Sequence, residues 1–165
     1  MSAILRRGTH PTGSDVRRLG VALDSKMESA TRAATLVVEF AAKQRYTQQQ
    51  CHEIDLAVRE AVANAVLHGN RCDNSKKVFL SAEMHPSGLV ITIRDEGKGF
   101  DPRSVPDPLI PGNLMQESGR GLFLVKAYMD EAVWRPAGAG GTEITLTKYP
   151  MRKTRKLPRG RSRTA

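Results

Sequence analysis

The chain has 165 residues, of which 39% are hydrophobic, 26% charged and 5% aromatic, enough for one buried core built on Ala, Val, Leu and Ile. Its net charge of +9 suggests an anionic partner until the charge is located: the stretch from Met151 to Ala165 holds seven basic residues and no acidic one, leaving +2 for everything before it. Two cysteines, Cys51 and Cys72, exclude a disulfide framework and read as free thiols. The absence of a signal-peptide core or a run of roughly 18 apolar residues makes the expected location cytoplasmic.

Residues 1–14 mix Gly, Pro, Thr and Arg without periodicity and read as a loose lead-in. A first strand is predicted over Arg18 to Leu23. From Lys26 to Lys43 the residues Met27, Ala30, Ala34, Val37, Val38 and Ala41 recur at helical steps and predict an amphipathic helix. Thr47, with Gln50 three residues on, predicts a capped second helix that runs to His68 and stops at Gly69 and Asn70. Lys77 to Met84 and Leu89 to Asp95 read as strands joined through Pro86, Ser87 and Gly88. The four prolines Pro102, Pro106, Pro108 and Pro111 make Gly97 to Ser118 a long loop, and a loop of that length in a compact domain is usually a lid or binding loop. A helix over Gly119 to Met129 follows, then strands at Glu131 to Arg135 and Thr142 to Lys148 around the turn Gly138 to Gly141. The expected fold class is α+β, a two-layer sandwich whose mixed, mostly antiparallel sheet is covered on one face by helices.

Three segments carry candidate chemistry. Glu60, Asn64 and His68 are spaced four apart and stack on one side of the second helix, while Ile54, Val58, Ala61, Val62, Ala65 and Val66 fill the inner side. An Asn oxygen can ligate Mg²⁺ and a Glu can orient or deprotonate a hydroxyl. The same spacing also describes a solvated helix stripe. Asp95, Gly97 and Gly99 form a DxGxG turn at a strand end, where a carboxylate can accept from an exocyclic amine and glycines let backbone approach a flat ring; a plain hairpin turn has the same composition. Ser118-Gly119-Arg120-Gly121 opens a helix and aims backbone N–H groups at an anion, with Arg120 as a charged donor.

Taken in this order, with a loop between the last two, the segments resemble the GHKL ATPase superfamily. The wording AVREAVANAVLHGN, RDEGKGFDP, ESGRGLFLVKAYMDEA and GTEITLTK is similar to the anti-sigma regulatory serine/threonine kinases from about Val16 to Lys148. The resemblance implies a histidine-kinase-like ATPase domain at 15–149 with an ATP lid at 100–118, while composition makes 150–165 a basic, disordered tail. It implies Glu60 as general base, Asn64 as ligand of Mg²⁺, and Asp95 as the adenine-contacting carboxylate. Gly97 and Gly99 would complete the adenine pocket, and Gly119, Arg120 and Gly121 would bind phosphate. The implied activity is ATP-dependent phosphorylation of a STAS-domain anti-anti-sigma protein by a chain that also captures a sigma factor, with a homodimer as the family's assembly. Where some family kinases carry an Arg just before the Ser-Gly of the lid end, this chain has Glu117, and the alternative is a module that binds ATP and sequesters its partner without phosphorylating it.

His68 is open between a phosphate contact and stabilisation of its helix end. The tail, without aromatics among its basic residues, reads as a solubilising segment or a contact for an acidic partner rather than a nucleic-acid or membrane binder. Tyr128 and Trp134 read as packing residues.

Overall fold

The computed structural model describes residues 18–99, 117–138 and 140–151, with backbone alone at 117–120. The strands are β1 (Arg18–Asp24), β2 (Lys77–His85), β3 (Gly88–Arg94), β4 (Glu131–Pro136) and β5 (Thr142–Lys148), and the helices are α1 (Glu28–Lys43), α2 (Gln48–Asn64) and α3 (Glu117–Tyr128). A π-helical turn, Ala65–Gly69, extends α2. The lead-in, most of the expected lid and most of the basic tail lie outside the described residues.

The five strands are ordered β1-β2-β3-β5-β4, and every pairing is antiparallel, which resolves the expected mixed sheet. Strict alternation places Val78, Leu80 and Ala82 of β2, Leu89, Ile91 and Ile93 of β3, and Ile144 and Leu146 of β5 in the core, while the intervening residues, such as Ser81, Thr92 and Thr145, are half-buried. Ala30, Ala33, Ala34, Val37 and Ala41 of α1 and Ile54, Ala57, Val58, Ala61 and Val62 of α2 join the same cluster. Tyr128 and Trp134 pack against it partly buried, as expected. β4 is an edge strand, which lets it end in Pro136 without losing a ladder bond.

Local chemistry sets the helix ends. Thr47 and Gln50 form the predicted capping box at the start of α2. At the end of α1 the N–H of Tyr46 donates to Ala41 O at 3.3 Å and that of Arg45 to Ala42 O at 3.0 Å. Arg45 has φ 67, so a Schellman stop forms without a glycine.

That stop delivers Tyr46 to the core, 7% exposed. Its hydroxyl donates to Lys148 O at 2.7 Å and accepts from Leu89 N at 2.8 Å, tying the end of α1 to β3 and β5. Burial pushes the Tyr46 phenol above its ordinary pKa. Tyr46→Phe leaves a buried N–H and C=O unpaired and is predicted to cost about 1–3 kcal/mol. Urea unfolding reads this as a lower midpoint at unchanged slope. Tyr149→Phe, which removes an exposed contact to Glu131, shifts the midpoint little.

Candidate functional site

The site is built where the C-terminal part of α2, the end of β3, the start of β5 and α3 meet. Asn64 Nδ2 donates to Glu60 Oε1 at 2.8 Å, so the predicted four-residue spacing does bring these two together. His68 lies in the π-helical turn and is exposed.

The π-helical turn moves Gly69 rather than His68 into the site. Asn70 N donates to Ala65 O at 2.7 Å across the widened turn. Asn70, read from sequence only as a helix terminator, is fully buried. Its Oδ1 accepts from Glu96 N at 2.8 Å and its Nδ2 donates to Lys77 O at 2.9 Å. Arg71 and Cys72, at φ 56 and 57, then turn the chain toward β2.

Asp95 is 4% exposed. Its backbone N–H donates to Thr142 O at 3.0 Å. Its Oδ1 accepts from Gly97 N at 2.8 Å and from Thr142 N at 3.0 Å, and among the described residues no donor reaches Oδ2. Three glycines press on this carboxylate or its backbone. A Cβ added to Gly69 or Gly141 would fall inside 3.0 Å of Asp95, and one added to Gly97 would collide with the Gly69 carbonyl and stand 3.0 Å from Asp95 Oδ1. Gly141 also has φ 91, a conformation that side chains disfavour. Gly99 is exposed with φ 86 and lies near Gly141 O.

Thr142 is the residue that sequence reading missed. It is 8% exposed and its Oγ1 is buried with no hydrogen-bond partner among the described residues, beside the carboxylate that its own N–H contacts. The signal was present in the Gly-Gly-Thr entry to the last strand, which reads locally as a turn.

The helix expected from Gly119 begins at Glu117, so the last two residues of the expected lid belong to the first turn of α3. Gly119 and Arg120 lie in that turn. Gly121 is buried against the Glu60–Asn64 pair: a Cβ there would overlap Glu60 Oε1 and stand 3.2 Å from Asn64 Nδ2. Glycine inside this helix is tolerated because the carboxylate occupies the space a side chain would need.

An exposed helical Gly→Ala change normally stabilises by about 0.5–1 kcal/mol. Gly121→Ala is predicted to forfeit that gain, because the Glu60 carboxylate and the Asn64 amide bonded to it must swing aside to admit the methyl. Gly20→Ala, whose Cβ would meet nothing within 4 Å, is the control, and thermal unfolding of the two variants checks the contrast.

With this geometry in hand, comparison with known proteins is informative. Residues 23–148 match the family described as the histidine kinase-like ATPase domain. The anti-sigma F factor of Bacillus subtilis is 33% identical over 76% of this chain and 86% of its own length, and that of Thermoanaerobacter sp. is 34% identical over 76% and 88%. A Mycobacterium tuberculosis crystal structure of RsbU and RsbW domains superposes with a TM-score of 0.59 at 24% identity, over 81% of this chain and 32% of that one, a likeness of fold. No helix among the described residues is long and apolar enough to cross a membrane. The chain belongs to the histidine kinase-like ATPase domain family, among relatives named anti-sigma F factor.

Proposed function

We propose that this chain is a cytoplasmic, ATP-dependent serine/threonine protein kinase of the anti-sigma type, which holds a sigma factor and phosphorylates a small STAS-domain anti-anti-sigma protein. The observation that carries the reading is the buried Asp95 carboxylate. It has one oxygen engaged by backbone N–H groups, glycine backbone on several sides and the unpartnered Thr142 hydroxyl next to it. A buried hydroxyl without a partner is costly, and a purine edge offers groups for both it and the carboxylate. The names of the relatives support the regulatory role.

On this reading Asp95 accepts from the adenine amine, and Gly69, Gly97 and Gly141 let the backbone close on the carboxylate that meets it. Gly99, with its positive φ, completes the turn around it. Asn64 presents Oδ1 to Mg²⁺ because its Nδ2 is held by Glu60. A metal held there would supply charge neutralisation at the phosphates. Gly119, Arg120 and Gly121 serve the phosphates from the N-terminal end of α3, a position that suits anions. Glu60 takes the proton of the attacking serine or threonine hydroxyl as its oxygen bonds to the γ-phosphorus and ADP leaves.

One observation favours a second reading, an ATP-binding module that sequesters a partner without transfer. Glu60 Oε1 is engaged by Asn64 and covered by Gly121, which leaves the base one oxygen with which to act.

Purified protein with labelled ATP and a STAS-domain partner separates the two. Transfer should fall about 10²–10⁴-fold in Glu60→Gln, and ATP binding should weaken at least about a hundredfold in Asp95→Asn, which opposes one amine with another. Undiminished transfer by Glu60→Gln removes Glu60 as the base. Tight, Asp95-dependent ATP binding with no transfer to any STAS partner selects the sequestering module.

A further inference from the structure

At the end of the sheet opposite Asp95 a lysine ammonium is enclosed. Lys148, the last residue of β5, is 8% exposed. Its Nζ lies 2.6 Å from Glu53 Oε2 of α2 and donates to Tyr128 O, the last residue of α3, at 2.6 Å. Glu53 is satisfied on its other oxygen by Gln49 Nε2 at 2.9 Å. The bonds from Lys148 and then Gln49 hold the Glu53 carboxyl below its ordinary pKa. A buried ammonium is retained only where charged and hydrogen-bonding partners replace its water. Here one partner is a carboxylate and the other is a carbonyl of a helix's final turn, where the dipole favours a cation.

The spacing of these contacts matches that of the nucleotide site. Glu53 stands seven residues before Glu60 on α2, and Tyr128 stands seven residues after Gly121 on α3. At 1.5 Å per residue each separation is about 10 Å. The packed, antiparallel pair α2 and α3 therefore meets at two points of equal spacing: Gly121 on Glu60 and Asn64 at the site, and Tyr128 to Glu53 through Lys148 at the far end. The Gly121 contact leaves no room for a side chain, so a slip of α3 along α2 by one residue, about 1.5 Å, separates Gly119–Gly121 from the Glu60–Asn64 pair.

We propose that Lys148 is a positioning residue for the nucleotide site, setting the register of α3 on α2 and thereby where the phosphate-binding turn meets Glu60 and Asn64. The proposal rests on the ATP reading above. It also makes a distinction that general loss of stability would not. Asp95, Thr142 and Gly141, which serve the base, lie just after β3, at the start of β5 and in the turn before it, and Gly69 closes the π-helical turn that extends α2; none of them is on α3. Without Lys148, recognition of adenosine should persist while the contribution of the phosphates declines.

The test is titration calorimetry of the full chain with adenosine and with ATP, both with Mg²⁺, in the wild type, Lys148→Met and the double variant Glu53→Leu/Lys148→Met. The double variant replaces the ion pair by an apolar pair, a change that often preserves or raises stability, and it keeps the test valid if Lys148→Met folds poorly. The expected result is adenosine affinity within about twofold of wild type in both variants and a preference for ATP over adenosine reduced about tenfold. An unchanged preference in the double variant, or a parallel loss of adenosine and ATP binding in it, overturns the role of Lys148. A wild-type chain that binds neither ligand overturns the nucleotide reading itself.

Discussion

Burial of one carboxylate at the end of β3 is the constraint around which this end of the molecule is arranged. A charge 4% exposed is stable only if donors replace its lost water, and Asp95 obtains them from the backbone of Gly97 and Thr142. Backbone donors must come close, so the residues around the carboxylate have to be small. That requirement places Gly69, Gly97 and Gly141 where a single Cβ would collide with the aspartate or its neighbours. It also brings the Thr142 hydroxyl beside it without a partner of its own. The same contacts occupy one carboxylate oxygen and leave the other without a donor among the described residues.

The second half of the site depends on α2. Its capping box fixes where the helix begins, and its Ile, Val and Ala face is locked in the core, so the positions of Glu60 and Asn64 follow from packing along the whole helix. The change from α to π geometry after Asn64 lets one continuous segment serve two contacts. Glu60 and Asn64 face α3, while Gly69, a few residues on, reaches Asp95. Buried Asn70 holds that turn to the starts of β2 and of the Glu96 segment. At the opposite end Lys148 and Tyr46 join α1, α2, α3, β3 and β5 through a few polar bonds. The two ends of the α2–α3 pair are thus anchored by different chemistry, glycine contact at one and a buried ion pair at the other.

Much of this was legible in the sequence where the signal was periodic. The strands and helices follow the alternation and the three-to-four spacing of Ala, Val, Leu and Ile, and Glu60 with Asn64 follows from a spacing of four. Glycines were harder to read. Gly69 ends its helical segment as read, but α3 begins two residues before Gly119, and the packing of Gly121 on Glu60, 61 positions away in the chain, has no local signal. Nothing local announces the π-helical turn that carries His68; it is stabilised by what Gly69 and Asn70 touch elsewhere. Thr142 and Lys148 went unremarked for the same reason, since their partners Asp95, Glu53 and Tyr128 are distant in sequence. Motif order supplied what local reading could not, by grouping the three segments before their contacts were known.

The central claim is that Asp95 and the Glu60–Asn64 pair form two parts of one nucleotide site. A crystal structure of the full chain with Mg²⁺ and a non-hydrolysable ATP analogue tests it most directly. The adenine amine is expected within hydrogen-bonding distance of the Asp95 carboxylate, the ring against Gly97 and Gly141, and the metal on Asn64 Oδ1. Nucleotide density elsewhere on the protein, or a metal held without Asn64 while Asp95 faces no base, would contradict it.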